Sequence, residues 1–217
     1  MELAGKKIAF LGDSITEGHG TSDRSRVFWR ILGERTGAQV YGYGVGGTRI
    51  APQQHVLDWE QGSYFETRVE EMIPDADIVV VFGGTNDFGH GDAPFGTIMD
   101  EDKRTFCGAL HSLCRTLIHR YPAAQLVILT PTHRSSEEDG PYNEIGVRLS
   151  ADLRGYVDAI IEIAGFYSIP VLDLYRVCGI QPRVETLKQR YMPDGLHPND
   201  AGHERIAEKL IGFLKSL

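Results

Sequence analysis

A serine stands just after the first apolar run of this 217-residue sequence, in the turn Gly12-Asp13-Ser14-Ile15. The run before it, residues 7–11, has the composition of a buried strand in a parallel sheet. Open α/β sheets bind their ligands at the carboxyl ends of such strands. Ser14 is therefore a candidate nucleophile, provided that the chain also supplies a base and donors for an oxyanion.

A candidate base lies near the other end of the chain, in Asp194-Gly195-Leu196-His197. His197 can take the proton of the serine hydroxyl, because an unperturbed histidine has a pKa of about 6.5. Asp194, three residues earlier in a glycine-containing turn, can accept a hydrogen bond from the other ring nitrogen and fix the tautomer. Asp173 also ends a predicted strand and is the alternative triad acid, but the three-residue spacing favours Asp194.

Two further motifs contain donors for the oxyanion of a tetrahedral intermediate. Gly44-Val45-Gly46-Gly47-Thr48 follows the second predicted strand, and Gly83-Gly84-Thr85-Asn86-Asp87 follows the third. The backbone N–H groups of Ser14 and Gly47 and the side-chain amide of Asn86 are the natural donors, since a glycine lets the backbone approach the substrate closely. Gly44 and Gly46 stay open as alternatives, and the spacing favours Gly47.

The elements that must position these motifs alternate between strand-like and helix-like patterns. Apolar runs predict strands at 7–11, 38–43, 77–83, 125–130 and 170–174. Helical periodicity predicts a final helix capped by Asn199 or Asp200. A second helical face is marked by Ile145, Leu149, Leu153, Val157, Ile160, Ile161 and Ala164. Alternation of this kind predicts an α/β fold: a three-layer α/β/α sandwich, with a five-stranded parallel sheet, formed by residues 1–217 as a single domain.

The order of the strands decides whether the four motifs meet. If strands two and three flank strand one, as in the flavodoxin-like order, the first three motifs converge in one crevice, and the last helix brings the fourth over it. Three long loops, 87–99, 131–142 and 176–193, also follow strand ends. Long loops in such places are often functional, and we expect these to border the crevice.

Charge and composition exclude several classes of partner. The chain has 22 Lys and Arg against 30 Asp and Glu, a formal charge of −8, which disfavours nucleic acid and anionic membranes. No segment has the roughly 18 consecutive apolar residues that a membrane span needs. No signal-peptide pattern opens the sequence, so a cytoplasmic location is predicted. A leader preceding residue 1 would leave no trace in the sequence.

The cysteines predict no disulfide framework, since there are three of them. Cys107 and Cys114 lie in a helical pattern and are predicted to be buried. Asp13 and Asp87 flank the candidate site, but without clustered ligands they predict no metal site, and Asp13 is expected to hydrogen-bond within the serine loop.

The other histidines are interpreted as ordinary residues. His111 and His119 lie in a helical pattern and are predicted to be solvated, and His203 is too far round the last helix to partner the candidate base. The four histidines in loops are interpreted as surface residues that could border the site: His19, His55, His90 and His133.

The blocks around Ser14, Gly47, Asn86 and His197, in that order, resemble the SGNH superfamily, also called the GDSL esterases and lipases. The resemblance runs from residue 12 to residue 198 and implies a flavodoxin-like fold, ester hydrolysis and no metal or organic cofactor. It assigns Ser14 as nucleophile and oxyanion donor, Gly47 and Asn86 as oxyanion donors, and Asp194 with His197 as the rest of a catalytic triad. The sequence departs from the family pattern at Ile15, where the family name has leucine, and at Gly42, where many members have asparagine.

The predicted function is that of a serine esterase acting on a small-molecule carboxylic ester through an acyl-enzyme. Polar residues in the loops after strands three and four favour a short acyl group, such as acetyl, on a polar or carbohydrate-like alcohol: Asp92, His133, Arg134, Glu137, Glu138 and Asp139. Two alternatives stay open. One is a lipase or thioesterase-type hydrolase of longer acyl chains, and the other is a non-catalytic small-ligand binding protein on the same scaffold. The sequence does not determine the oligomeric state.

Overall fold

The computed structural model describes residues 1–55, 64–137, 142–147 and 151–217. The strands in these ranges are β1 (Lys7–Gly12), β2 (Gln39–Gly44), β3 (Ile78–Phe82), β4 (Gln125–Leu129) and β5 (Val171–Leu172). The helices are α1 (Ser14–Glu17), α2 (Phe28–Thr36), α3 (Thr85–His90), α4 (Phe106–Arg120), α5 (Leu153–Phe166), α6 (Leu174–Val177), α7 (Glu185–Tyr191) and α8 (Asp200–Ser216). Two 3₁₀ turns cover Arg24–Arg26 and Glu66–Glu71.

All five strands are parallel and lie in the order β2-β1-β3-β4-β5. The predicted α/β sandwich with a five-stranded parallel sheet is therefore confirmed, and strands two and three do flank strand one. Gly12 at the end of β1 is level with Gly44 of β2 and Phe82 of β3. This register brings the turns after the three strands to the same edge of the sheet.

Two apolar cores cover the two faces of the sheet, because successive side chains of a strand point to opposite sides. In β3, Val79 and Val81 belong to the core under α4 and α5. Ile78, Val80 and Phe82 belong to the core under α2 and α8. The strand is buried on both faces, which explains its continuously apolar sequence. All three cysteines are buried and free, which confirms the prediction for the two in α4.

The helix predicted to include Ile145 begins later than its apolar periodicity suggested. The carboxylate of Asp152 accepts a hydrogen bond from the N–H of Gly155, and α5 starts there. Ile145 precedes the helix and is 45% exposed, so its assignment to the helical face is wrong. Gly146 next to it has a φ of +78°, which an α-helix does not accommodate. Leu149 lies outside the described residues.

The last helix begins as predicted. The side chain of Asn199 accepts a hydrogen bond from the N–H of Gly202 and caps α8. His203, in the first turn, is fully buried, and its Nδ1 accepts a hydrogen bond from the N–H of Phe28. Burial lowers the pKa of His203 to about 4, so the ring is neutral at pH 7.

His111 contradicts the prediction of a solvated side chain. It is buried between two segments that are distant in sequence: Nδ1 lies 3.0 Å from the hydroxyl of Tyr167, and Nε2 lies 2.8 Å from the carbonyl oxygen of Ile98. These two partners satisfy the ring nitrogens and offset the loss of hydration. His119, on the same helix, is exposed as predicted. None of the described helices is long and apolar enough to cross a membrane.

Candidate active site

The turn after β1 fixes the position of Ser14. Asp13 caps the short helix α1, its carboxylate accepting a hydrogen bond from the N–H of Ile15 at 3.0 Å, as expected for a residue that holds the serine loop. Glycine is required at position 12, because a Cβ there would collide with the side chain of Thr16. Ser14 is 5% exposed at the edge of the sheet.

The structure brings Ser14, His197 and Asp194 into one hydrogen-bonded series. The serine Oγ lies 3.1 Å from His197 Nε2, and His197 Nδ1 lies 2.8 Å from Asp194 Oδ2. The other carboxylate oxygen accepts the backbone N–H groups of Leu196 and His197, at 2.8 and 2.7 Å. Partial burial raises the pKa of Asp194, but these hydrogen bonds outweigh it and the net pKa lies below the usual value. An ionised Asp194 accepts from Nδ1–H, which leaves Nε2 free to accept the serine proton.

Asp173, the alternative acid, has other partners. Its carboxylate accepts a hydrogen bond from the hydroxyl of Thr130 at 3.1 Å and pairs with the guanidinium of Arg176. It also caps α6. The geometry therefore joins His197 to Asp194, while Asp173 ties the start of α6 to Thr130, the residue after β4.

The three candidate glycine donors around the end of β2 differ in whether their N–H groups are available. The N–H of Gly46 donates to Glu17 Oε2 at 2.7 Å, so it is already occupied, and Gly44 is the last residue of β2. Gly47 has a φ of +73°, a left-handed conformation that favours glycine. Within the described part of the chain, the N–H groups of Gly47 and Ser14 have no hydrogen-bond acceptor. This arrangement favours Gly47 over the other two glycines.

Asn86 lies at the start of α3, buried beside the same turn. Its amide nitrogen donates to the carbonyl oxygen of Thr48 at 3.0 Å, and its oxygen accepts from His90 Nε2 at 3.1 Å. An amide nitrogen has two hydrogens. One therefore ties α3 to the residue after Gly47, and the second is available as an oxyanion donor.

Arg68 joins the turns after β1 and β2, a role that the sequence did not indicate. Its buried guanidinium donates to the carbonyl oxygens of Tyr43 and Gly12, at 2.7 and 3.0 Å, and to the hydroxyl of Thr48 at 2.9 Å. Burial raises the pKa of nearby Asp13 to about 7, an effect that the Ile15 N–H and the positive charge of Arg68 only partly offset. Arg68 therefore supports the turn that carries Ser14 and the glycine turn together.

Asp87 has a comparable supporting role on the other side of Asn86. Its carboxylate accepts the backbone N–H groups of Ile50 and Ala51, at 3.0 and 2.9 Å, and burial raises its pKa to about 6 despite these bonds. In the part of the chain that the structure describes, no three His, Cys, Asp or Glu side chains are grouped as metal ligands. The burial of the Asp87 carboxylate is thus accounted for by the two backbone N–H groups that it accepts.

Two of the four histidines predicted to lie in loops are close to the proposed machinery, and for one of them the prediction of a loop is wrong, because His90 is the last residue of α3. The ring centroid of His19 is 5.4 Å from that of His197, and His90 holds the oxygen of Asn86. His55 is exposed and bonded to an aspartate of a neighbouring loop. His133 belongs to a polar cluster around a buried glutamate in the loop after β4.

Glu17 is a second supporting residue that the sequence did not indicate. It ends α1, three residues after Ser14, and its carboxylate holds the N–H of Gly46. Because Gly46 precedes the proposed oxyanion donor, Glu17 fixes the peptide group directly before the one that carries the Gly47 N–H. The sequence did contain one indication that Glu17 lies near the serine: residues three apart in a helix are neighbours on its surface.

Removing this carboxylate is expected to loosen one proposed oxyanion donor, the Gly47 N–H, without removing it. Losing a whole oxyanion donor costs roughly 10²–10³ in rate, so loosening one through Glu17→Ala should lower kcat by about 10-fold. KM should change little, because the oxyanion forms only after binding. Glu17→Gln keeps an oxygen acceptor for Gly46 and should restore kcat. Steady-state kinetics on p-nitrophenyl acetate give the comparison, and equal losses in the two variants would contradict this positioning role.

Known proteins share both the sequence pattern and the fold. A profile of the GDSL-like Lipase/Acylhydrolase family matches residues 10–205. A GDSL lipase of Mycobacterium tuberculosis is 29% identical over 216 residues, covering 95% of this chain and 80% of the lipase. The crystal structure of a Lactobacillus plantarum protein is 32% identical, with a TM-score of 0.83 over 99% of this chain and 98% of that protein.

A more distant structure shows the fold alone. It is a two-domain esterase active on acetylated mannans, 22% identical, with a TM-score of 0.61 over 98% of this chain and 50% of that protein. The profile match, by contrast, includes all the motifs that carry the candidate site. The chain belongs to the GDSL-like lipase/acylhydrolase family, and it is an ester hydrolase.

Proposed function

We propose that this ester hydrolase is a serine esterase that removes short acyl groups, acetyl foremost, from a polar or carbohydrate-like alcohol. The observation that carries the proposal is the series from Ser14 Oγ to His197 Nε2, 3.1 Å, and from His197 Nδ1 to Asp194, 2.8 Å. It supports Ser14 as nucleophile, His197 as general base and Asp194 as the residue that orients the ring. Membership of a hydrolase family removes the reason to prefer a non-catalytic binding protein.

The reaction follows from these roles. Ser14 Oγ attacks the ester carbonyl while His197 Nε2 takes its proton, and the N–H groups of Ser14 and Gly47 and the Asn86 amide stabilise the oxyanion. His197 then returns the proton to the leaving alcohol, and an acyl-enzyme remains on Ser14. Water then attacks the acyl-enzyme while His197 takes its proton, and His197 returns this proton to Ser14 Oγ as the acid leaves.

The short acyl group is favoured by the polarity of the loop after β4. Sites for long acyl chains need an extended apolar lining. This loop instead has a series of polar residues that are buried or half-buried: Thr130, Thr132, His133, Arg134 and Glu137. The predicted contributions of Glu138 and Asp139 lie outside the described residues. The mannan esterase shares only its fold with this chain, so the alcohol class rests on the loop itself.

The acyl preference is tested with p-nitrophenyl acetate, butyrate and octanoate, whose leaving groups are identical. We expect kcat/KM to fall at least about 10-fold from acetate to octanoate, because a site built for a short acyl group rejects added methylenes. The Ser14→Ala variant supplies the background rate for each ester. A kcat/KM that rises with acyl length would contradict the proposal and favour a lipase or thioesterase-type hydrolase.

A further inference from the structure

A buried carboxylate organises the loop after β4. Glu137 accepts three hydrogen bonds, from His133 Nδ1 at 2.7 Å, from the N–H of Arg134 at 2.9 Å and from the hydroxyl of Tyr175 at 3.0 Å. Burial raises the pKa of Glu137, but the bonds from these donors outweigh it and the net pKa lies below the usual value. Glu137 is therefore ionised at neutral pH.

The ionised carboxylate determines the state of the His133 ring. A carboxylate only accepts hydrogen bonds, so Nδ1 carries a proton and Nε2 is the nitrogen left over. The ring also packs on Tyr175, with 3.8 Å between centroids, which fixes its plane. Its side chain is 21% exposed, and Nε2 has no hydrogen-bond partner among the described residues. The cluster thus presents one fixed, accessible ring nitrogen that the proposed triad does not use.

This nitrogen lies on a loop that is tied to the turn carrying the candidate base. The N–H of Ser135 donates to the carbonyl oxygen of Gly195 at 2.8 Å, two residues before His197. The leaving alcohol must be close to His197 Nε2, because that atom returns its proton. His133, two residues before Ser135, therefore lies on the segment that contacts the turn of the candidate base, the side from which the alcohol would leave.

A second contact ties the same loop to the oxyanion side of the site. The guanidinium of Arg134 donates to the carbonyl oxygen of Thr85 at 3.1 Å, next to Asn86. The loop is thus fixed both at the turn of the base and at the start of α3. His133 directly precedes Arg134 and lies two residues before Ser135, so these two contacts also fix its position relative to the candidate site.

We propose that His133 Nε2 binds a free hydroxyl group on the alcohol part of the substrate. This inference rests on the proposed function and names the alcohol class at the same site. A neutral Nε2 accepts a hydrogen bond and a protonated one donates. A hydroxyl group both donates and accepts, so it pairs with either state of the ring. A carboxylate would pair only with the protonated ring and an ammonium group only with the neutral one.

The test compares two acetates whose leaving groups differ only in hydroxyls: 1-acetylglycerol, with two free hydroxyls, and propyl acetate, with none. His133→Asn keeps a donor for Glu137, because its amide nitrogen stands where Nδ1 does, and it removes Nε2. We expect the ratio of kcat/KM for 1-acetylglycerol to that for propyl acetate to fall about 10-fold, the factor of one ordinary hydrogen bond. His119→Asn, on the exposed face of α4, is the matched control and should keep the wild-type ratio.

The outcomes separate this inference from the proposed function. A ratio in His133→Asn equal to that of the wild type overturns the inference, whether or not both rates fall together, since a purely structural role would lower them equally. Preference of the wild type for octanoate over acetate overturns the proposed acyl specificity instead. In that case the same ratio, measured on 1-octanoylglycerol and propyl octanoate, still decides the role of His133.

Discussion

Replacing Ser14 by alanine is expected to lower kcat for p-nitrophenyl acetate by at least about 10⁴-fold, because without its nucleophile a triad enzyme keeps only the contribution of its oxyanion site and binding. The substitution removes one hydroxyl whose hydrogen bond is to His197. The free energy of unfolding should therefore change by less than about 1 kcal/mol, as measured by urea titration. A folded variant with near wild-type turnover would rule Ser14 out as the nucleophile.

A fluorophosphonate probe gives an independent measurement of the same serine. It reacts with serines that a neighbouring base activates, so mass spectrometry of the wild-type protein should find the adduct on the peptide containing Ser14. The alanine variant should not be labelled. Labelling of a different residue in the wild type would move the nucleophile elsewhere and contradict its assignment to the serine beside His197.

Replacing Asp194 by asparagine should have the second largest effect, a loss of about 10²–10⁴-fold in kcat. The asparagine oxygen can still accept the N–H groups of Leu196 and His197, so the turn is expected to persist. The amide nitrogen of the asparagine, however, would donate to His197 Nδ1 and so favour the tautomer that carries its proton on Nε2. In that tautomer Nε2 cannot accept the serine proton. The expected loss in kcat includes values as small as about 10²-fold, because the Asp194 side chain is 54% exposed and water can partly replace its carboxylate.

Asp173→Asn is the matched control for this prediction. Asp173 is the only other acid that the sequence proposed for the triad, and its contacts are to Thr130 and Arg176. Its variant should keep kcat within about threefold of the wild type, the range of ordinary substitutions away from a reaction centre. If kcat collapsed in Asp173→Asn and survived in Asp194→Asn, the two acids would exchange roles.

The part of the fold that could be predicted is the part that depends on short stretches of sequence. Five apolar runs predicted the five strands, with the largest difference at β5, which is Val171–Leu172 where 170–174 was expected. Three of these strands, β1, β3 and β4, are buried along nearly their whole length. A strand covered on both faces is apolar at nearly every position, so it can be recognised without any knowledge of its neighbours. The candidate site could be recognised for a related reason. Its residues follow strand ends, and the register of parallel strands brings such ends together.

Residues whose roles depend on distant partners could not be predicted in this way. Arg68 lies in a segment without a motif, and its role comes from carbonyl groups at the ends of two separate strands. His111 is buried because Tyr167 and Ile98 satisfy its ring, and neither is near it in sequence. Ile145 fits a helical period, yet the helix starts only after it. Periodicity indicates which faces are apolar, while these three outcomes depend on long-range hydrogen bonds and local capping.

The 3.1 Å contact between Ser14 and His197 joins residues 183 positions apart. The proposed base, His197, lies in the turn before α8, a helix that packs against α2 near the start of the chain. Loops of this length close late in folding, since the entropy of closing them must be overcome before the contact forms. Esterase activity should thus return after the far-UV signal when the protein refolds. Ser14 should therefore stay unreactive until α8 has docked against α2 and brought His197 to it, so we expect hydrolysis to depend on this helix pairing.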